Sequence, residues 1–435
     1  MSQFFADRFA VEGDARSGGM ADVYRARDRQ TGALVALKVL RVQYDGHDAE
    51  RFAREARALA ELEHPTVVRY VAHGVERGAH FLAMEWLEGE DLAERLRRAP
   101  LDVREAVRLG RRLATALAHA HAHGVVHRDV KPGNVFLVGG DVDQAKLIDF
   151  GIARLDTATP LTRSGMLVGS PGYVAPEQAR GDDPLDPRAD LFGLGCVIYR
   201  CVAGHAAFRG ESAVAILAKI LFDEVPPLAE ARPGVPAALG ELVAKLLAKT
   251  PEERPASAAA AAALFERIDA ELEAPHARAS PPAAAALGSN ERRLVSVLLV
   301  APPVIANDAS PRTDTIPMHH LAGVVDPVRE AAASFGARVE QLADGTLVLT
   351  LGGEGSATER AAEAARCALA VRAVVPGTRM ALATGHGLAG SRVPLGDAID
   401  RATRMLAAEP RDGVALDAVT AGLLHGAFEI ERVEE

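Results

Sequence analysis

Apolar and polar residues alternate along the first part of the chain in the manner of a twisted antiparallel sheet, from Asp7 to about Val42. Within this stretch residues 33–40 form the clearest strand pattern, and two further strand-like segments follow at residues 67–71 and 80–84. The next run, residues 85–89, has the composition of a linker between two lobes. The pattern therefore predicts an N-terminal β-lobe followed by a second body.

Lys38 lies in the middle of an otherwise apolar strand face, which it shares with Ala36 and Leu40. Residues 49–62 have helical periodicity, with Glu55 on the buried side of the predicted helix. A carboxylate that points inward needs a partner, so the sequence predicts a Lys38–Glu55 ion pair. The alternative is that Lys38 is a solvated lysine on an edge strand.

A long amphipathic helix is predicted at residues 103–121, ending at Gly124. His121 falls on its apolar side, so we expect a hydrogen-bonded core histidine, whereas His119 and His123 form a pair at helical spacing without an evident further metal ligand. Beyond the helix, apolar runs at residues 135–138 and 146–148 flank a glycine-rich turn and predict a small hairpin.

The last third of the chain is separated by a proline- and alanine-rich boundary at residues 271–290. Beyond it, helical stretches alternate with strand patterns, which predicts an α+β sandwich of ferredoxin-like type. Strands are predicted at residues 293–300, 346–351, 379–384 and 414–416, and helices at residues 321–335, 357–374 and 397–408.

Composition is that of a globular protein of about two or three domains, since 49% of the 435 residues are apolar and 25% are charged. The net charge of −10 argues against a nucleic-acid or anionic membrane partner. Cys196 and Cys201 fall in an apolar helical run and, with Cys367, indicate core residues in a reducing cytoplasm. We find no secretion signal and no segment suited to span a bilayer.

Chemistry concentrates in residues 127–134, His-Arg-Asp-Val-Lys-Pro-Gly-Asn, followed by Asp149-Phe150-Gly151. Two carboxylates, a lysine and a carboxamide in this order are suited to phosphoryl transfer from a magnesium-bound nucleotide. The hairpin predicted between Asn134 and Asp149 would hold these two oxygen donors rigidly. Upstream, the Gly18-Gly19 turn could bring backbone amides over phosphates, although such a turn alone is also typical of an ordinary hairpin.

Residues 8–270 resemble a eukaryotic-like bacterial serine/threonine protein kinase, because the family's motifs occur in order along this stretch. The resemblance implies a two-lobed fold, with an N-lobe at about residues 8–87 and a C-lobe at about 88–270, and ATP and Mg²⁺ in the cleft. The motifs are Lys38, Glu55, residues 127–134, residues 149–151, Ala175-Pro176-Glu177, Asp190 and Arg254.

The resemblance also implies a role for each motif residue. Lys38 would hold the ATP phosphates and pair with Glu55, Asp129 would orient the substrate hydroxyl and accept its proton, and Lys131 would neutralise the transferred group. Asn134 and Asp149 would bind two magnesium ions, and Glu177 and Arg254 would form a buried structural ion pair. The nucleotide pocket would consist of Gly18, Val23, Ala36, Lys38, Glu85, Leu87, Asp91 and Phe136, with Met84 at its back.

The segment between Asp149 and Glu177 resembles an activation loop, in which Thr162 and Ser164 are the expected phosphorylation sites and Ser170 the expected positioning residue. One departure from the family concerns its three glycines, of which the first and third are Arg16 and Ala21 here. The implied activity is transfer of phosphate to serine or threonine of protein substrates, including autophosphorylation. The alternative is a pseudokinase scaffold.

Residues 291–435 resemble a class III adenylate/guanylate cyclase domain through residues 291–299, Ala343-Asp344-Gly345, residues 384–387 and residues 396–400. The first metal-binding aspartate of that family corresponds to Ala301, and only Asp344 matches the second. Its catalytic asparagine and arginine correspond to Asp400 and Arg404, for which a surface ion pair is the simpler expectation.

The cyclase resemblance therefore implies a catalytically degenerate regulatory module that senses, recruits or forms a homodimer. A cyclase regulated by the kinase domain is the third hypothesis, which Ala301 opposes. Since related bacterial kinases often continue into further modules, a native chain that continues past Glu435 is compatible with the sequence.

Overall fold

The N-terminal lobe is built on one antiparallel sheet in the order β1-β2-β4-β5-β7-β6, with β3 paired to β4. Its apolar face is formed by Phe9, Val35, Leu37 and Phe81, all at most 4% exposed, as the alternation of the sequence predicts. The strands are β1 (Phe4–Phe5), β2 (Phe9–Val11), β3 (Arg16–Ser17), β4 (Ala21–Asp28), β5 (Leu34–Leu40), β6 (Tyr70–Glu76) and β7 (Ala79–Glu85).

This computed structural model describes residues 4–13, 15–17, 21–41, 53, 56–150, 171–273, 292–301, 319–353, 355–388, 395–408 and 413–431. The helical residues 56–60 are named α1. The strand predicted at residues 67–71 begins later, at Tyr70, because Val67 forms only an isolated bridge to Leu147. In the described part of the chain, no helix is long and apolar enough to cross a membrane.

A small second sheet connects the lobes, in the order β10-β9-β8. Its strands are β8 (Gly89–Asp91), β9 (Val135–Val138) and β10 (Ala145–Leu147), so the predicted linker ends by entering a strand. Gly89 has a φ of +147°, and a Cβ there would lie 2.0 Å from the Leu137 carbonyl oxygen. Only glycine fits this close approach of β8 to β9.

The second lobe is helical and surrounds α5, which is apolar on nearly every side and buries Cys196 and Cys201 as predicted. The amphipathic α3 begins at a capping box formed by Asp102 and Glu105 and follows the predicted bounds closely. The helices are α2 (Leu92–Arg98), α3 (Val103–Ala122), α4 (Pro176–Arg180), α5 (Ala189–Ala203), α6 (Ala213–Phe222), α7 (Leu228–Ala231), α8 (Ala237–Leu246) and α9 (Ala258–Glu273).

The C-terminal unit, residues 292–431, has a sheet in the order β12-β13-β11-β14-β15, antiparallel except for the pair β14–β15. Its strand β12 was missed because it is short and carries charged residues that disguise the alternation. The elements are β11 (Arg292–Val300), α10 (His319–Ala333), β12 (Arg338–Gln341), β13 (Leu347–Leu351), α11 (Ala357–Val374), β14 (Met380–Leu388), α12 (Ala398–Ala407), β15 (Val414–Leu416) and α13 (Ala418–Leu424).

The surface ion pair expected between Asp400 and Arg404 is wrong. Asp400 is only 7% exposed and pairs with Lys219 of α6, while Arg404 pairs with Glu211. Both partners belong to the helical lobe, so the side of α12 that carries Asp400 packs against that lobe.

Candidate active site

The stretch at residues 127–134 is held in place by Asp190, which lies near the start of α5 and is 2% exposed. Its carboxylate accepts hydrogen bonds from the backbone N–H groups of His127 and Arg128, each at 2.8 Å. His121 of α3 contacts the same carboxylate through Nε2 at 2.8 Å, which confirms that it is a hydrogen-bonded residue of the interior. Asp190 of α5, itself in contact with His121 of α3, thus holds the backbone of the loop in place.

Arg128 has a φ of +64°, a left-handed conformation that is unfavourable for a residue with a Cβ. Its N–H is bound by Asp190, and its carbonyl oxygen accepts a hydrogen bond of 3.0 Å from Gln178 Nε2 of α4. The surrounding hydrogen bonds therefore hold a strained residue immediately before Asp129.

Asp129 is at the centre of the cluster that the sequence predicts. Its Oδ2 accepts hydrogen bonds from Lys131 Nζ at 2.8 Å and Asn134 Nδ2 at 2.9 Å. Burial lowers the pKa of His127, so its ring is neutral. The Asp129 N–H donates to His127 Nδ1 at 3.3 Å, which leaves the ring proton on Nε2, facing the Ile148 carbonyl oxygen at 3.2 Å.

Asn134 and Asp149 lie at the two ends of the β9–β10 hairpin, as predicted. The Asn134 carbonyl oxygen accepts the Ile148 N–H at 2.9 Å, which ties the two ends together next to Asp149. Asp149 has a φ of +56°, and its Oδ1 lies 2.8 Å from Lys38 Nζ. Lys38 thus reaches from the N-terminal lobe to the hairpin of the second lobe, and the cleft between the lobes contains both charges.

Several residues of the predicted nucleotide pocket lie on the strands of the two sheets that adjoin this cleft. In the N-terminal sheet, Val23 of β4 is opposite Lys38 of β5, and Ala36 of β5 is opposite Met84 of β7. In the small second sheet, Asp91 of β8 is opposite Phe136 of β9.

The carboxylate of Asp91 also caps α2 by accepting the Glu94 N–H at 2.8 Å. Burial raises the pKa of Asp91. The backbone N–H of Glu85 donates to the Arg69 carbonyl, whereas among the described residues that of Leu87 has no hydrogen-bond acceptor within the protein.

Several predicted residues lie outside the described residues, namely Gly18, Glu55, Gly151, Thr162, Ser164 and Ser170. The predicted Lys38–Glu55 pair therefore stays a prediction. The predicted structural pair is confirmed, because Arg254 donates to both carboxylate oxygens of Glu177 at 2.6 and 2.8 Å with its own side chain fully buried.

Gln178 is the residue of the site that sequence reasoning missed. Its amide oxygen accepts the Ala175 N–H at 3.0 Å, and its amide nitrogen donates to the catalytic-loop residue Arg128. A glutamine three residues after a helix N-cap, with proline at the first helical position, is the local signal that could have identified it.

Comparison with known proteins agrees with this architecture. The family described as "Protein kinase domain" matches residues 12–265. The chain is 39% identical over 278 residues to the serine/threonine-protein kinase pkn3 of Myxococcus xanthus, covering 61% of this chain and 51% of pkn3. It is 38% identical over 284 residues to the serine/threonine-protein kinase PknL of Mycobacterium bovis, covering 65% of this chain and 70% of PknL.

The chain thus spans about half the length of pkn3. Among solved structures, the kinase domain of Mycobacterium tuberculosis PknI aligns with a TM-score of 0.50 and 28% identity, covering 61% of this chain and 97% of that domain. The structure of Rad53 in complex with AMP-PNP aligns with a TM-score of 0.50 and 25% identity, covering 59% of this chain and 64% of that one. The chain therefore belongs to the protein kinase family, and its kinase domain is of the serine/threonine type.

Proposed function

We propose that this protein transfers the γ-phosphoryl group of ATP to serine and threonine hydroxyls of proteins, its own chain included. The observation that carries this proposal is the cluster in which Asp129 contacts Lys131 and Asn134 while Lys38 reaches Asp149 across the cleft. Phosphoryl transfer depends mainly on positioning and on charge, which this arrangement supplies.

Asp129 is the residue that would orient the acceptor hydroxyl and take its proton. Its Oδ2 is engaged by Lys131 and Asn134, and these contacts fix the direction of the carboxylate. Lys131 is a positive charge beside that carboxylate, placed to neutralise the phosphoryl group during transfer. Lys38 would bind the phosphates of the nucleotide from the opposite side of the cleft.

Asn134 and Asp149 fit a magnesium ion by the chemistry of their donors. The Asn134 amide nitrogen is engaged by Asp129, so its amide oxygen is directed elsewhere, and Asp149 provides a carboxylate. Within the described ranges, no group of three or more His, Cys, Asp or Glu side chains could hold a metal ion. Mg²⁺ prefers one or two protein oxygens together with phosphates and water, and when bound it would neutralise phosphate charge.

The adenine ring would lie between Val23 and Ala36 of the N-terminal sheet on one side and Phe136 of β9 on the other. The Leu87 N–H would read the edge of the base together with the backbone of Glu85, and Asp91 would bind the ribose. Gly18 would contribute to the lid over the phosphates.

The C-terminal unit would be a regulatory module of ferredoxin-like topology, related to class III cyclases but without their chemistry. Support comes from the strand order β12-β13-β11-β14 with α10 and α11 in the crossovers. A metal site is disfavoured because Ala301 has no donor and because the Asp344 carboxylate accepts the N–H and hydroxyl of Thr346 within its own turn.

The proposal includes activation by phosphorylation at Thr162 or Ser164, with Arg128 as the basic residue that receives the phosphate. Mass spectrometry of the purified protein tests this idea. Full activity without any phosphate on residues 151–170 would refute it.

Radiolabelled ATP with the full-length protein tests the main proposal. The wild type with Mg²⁺ should incorporate label into serine and threonine, and Asp129→Asn should lower the rate by about 10²- to 10⁴-fold. The matched control is Asp143→Asn, because Asp143 lies in the turn between β9 and β10 and pairs with Arg108 at the surface. This variant should leave the rate unchanged.

The same reactions distinguish the alternatives. Chelation of Mg²⁺ with EDTA should abolish labelling. Absence of label in the wild type would refute the proposal and favour the pseudokinase scaffold, for which Arg16 and Ala21 in place of two glycines are the supporting observation. Formation of cyclic nucleotide in parallel samples would refute the assignment of the C-terminal unit as non-catalytic.

A further inference from the structure

The sheet of the C-terminal unit buries both of its faces, but against different partners. On one face, Leu298 and Leu349 pack with α10 and α11 of the same unit. On the other face, Val295 and Val297 belong to one hydrophobic cluster that is continuous with the helical lobe of the kinase domain. The two units therefore share a core, and the hydrophobic effect favours their association.

A charged contact lies within this shared core, between α6 of the kinase domain and α12. Lys219 Nζ lies 2.6 Å from Asp400 Oδ2, and the two side chains are only 12% and 10% exposed. The other oxygen of Asp400 accepts the Glu211 N–H at 2.9 Å, and Lys219 also donates to the Arg209 carbonyl at 2.9 Å. Because both charges are nearly buried, removal of either one would leave the other without a neighbouring opposite charge.

A second contact connects the β12–β13 hairpin to the end of α4. The Ala343 N–H donates to the Ala179 carbonyl oxygen at 2.9 Å, which satisfies one of the last carbonyls of that helix. Arg180 Nε lies 3.1 Å from Glu340 Oε2. Burial alone would raise the pKa of Glu340, but the guanidinium groups of Arg180 and Arg338 lower it, so the carboxylate is charged.

Helix α4 also supports the catalytic loop, because Gln178 donates to the carbonyl oxygen of Arg128. One five-residue helix thus contacts the C-terminal unit through its last two residues and the residue before Asp129 through its central residue, Gln178. The contacts from Ala343 to Ala179 and from Gln178 to Arg128 form a continuous path of packed groups between the two units.

We propose that the C-terminal unit docks on the α4–α6 face of its own kinase domain and holds α4 in the position that supports the catalytic loop. The docked unit is then a positioning element for Asp129, and the Lys219–Asp400 pair fastens it. The consequence for catalysis rests on the proposed kinase function, whereas the docking itself does not.

Hydrogen–deuterium exchange of the full-length protein tests the docking. Among the described residues, three backbone amides donate across the interface, those of Glu211, Ala343 and Leu395, the last to Asp223. In the wild type all three should be protected. Lys219→Glu places two negative charges together and should accelerate exchange at all three amides by at least about tenfold.

Two variants complete the exchange experiment. Lys245→Glu is the matched control, because Lys245 is exposed on α8, and it should leave these amides protected. Lys219→Glu combined with Asp400→Lys restores an opposite-charge pair and should recover most of the protection. Exchange at unprotected rates in the wild type would refute the docking. If Lys219→Glu does not fold, Asp400→Asn replaces it and should accelerate exchange at the same three amides by a smaller factor.

Steady-state kinetics of the same proteins test the positioning role. Lys219→Glu should lower kcat for phosphoryl transfer by about tenfold, with KM for ATP within about twofold of wild type, since the loop shifts and the nucleotide pocket does not. The double variant should recover kcat. Faster exchange with an unchanged or higher kcat would overturn the positioning role. A wild type without any transfer would refute the proposed function, but the exchange result would still decide the docking.

Discussion

Asp190→Asn is a test of whether the catalytic loop is held by charge-assisted hydrogen bonds from α5. One oxygen of the carboxylate accepts the Arg128 N–H, and the other accepts the His127 N–H and contacts His121 Nε2. Asparagine has a single oxygen. In either orientation of the amide, its NH₂ group would face one of the two backbone N–H groups, which then loses its acceptor.

The cost follows from the burial of the site, since Asp190 is 2% exposed and His127 is fully buried. An unsatisfied buried donor costs about 1–3 kcal/mol. For a domain of this size, each 1 kcal/mol lowers Tm by about 2–4 °C, so the expected decrease is roughly 2–12 °C. Displacement of the loop by a fraction of 1 Å should also lower kcat by about 10- to 10²-fold, because Asp129 directly follows the two affected residues.

Thermal unfolding and initial rates of labelling measure the two effects on the same preparation. Asp143→Asn serves again as the matched exposed control and should leave kcat unchanged and lower Tm less than Asp190→Asn does. His121→Gln, which alters only the third contact of Asp190, should have a smaller effect on kcat than Asp190→Asn. An Asp190→Asn protein with wild-type Tm and wild-type kcat would refute the assignment of Asp190 as the anchor of the loop.

Two further predictions concern stability. Glu177→Gln should lower the free energy of unfolding by about 3–5 kcal/mol, because it leaves a buried guanidinium without its opposite charge. Glu90→Gln removes one partner of an exposed ion pair and should have a much smaller effect, and urea unfolding of the two variants compares these values. Burial raises the pKa of Asp223 to about 6, against the opposing charges of Lys219 and Lys249. Because the pKa is raised in the folded state, the protonated carboxyl contributes stability that is complete below about pH 4 and is lost as the pH rises through about 6. Urea unfolding of the wild type at a series of pH values should show this loss, which Asp223→Asn should lack.

The sequence predicts that Asn134 and Asp149 lie close together because their order and spacing along the chain reflect local structure. Asn134 and Asp149 lie at the ends of one short hairpin, and its apolar strands are recognisable without any tertiary information. The supports of the loop are different, since Asp190 and Gln178 are separated from Arg128 by 62 and 50 residues. No local sequence pattern indicates which buried polar side chain will bind a given backbone group that is so far away along the chain.

The C-terminal unit shows a second limit of sequence patterns. Asp400 and Arg404 have the spacing of a helical surface pair, and periodicity cannot indicate that another domain covers that side of α12. A charged side chain that a neighbouring domain covers must pair with a specific partner, whereas an exposed one is solvated by water. The same ambiguity explains why β12 was missed, because Arg338 and Glu340 resemble loop residues until Arg180 and Phe222 are placed against them.

The peptide groups on both sides of Arg128 connect these observations. A left-handed conformation at a residue with a Cβ costs of order 1–3 kcal/mol and persists only where the surroundings over-determine it. Here the N–H is bound from α5 and the carbonyl from α4. The α5 contact is internal to the kinase domain, whereas α4 is short and also accepts a hydrogen bond from the C-terminal unit. With the proposed docking, a change at α4 alters one of the two hydrogen bonds that hold the strained residue, and a signal that alters docking of the C-terminal unit would reach Asp129 by this route.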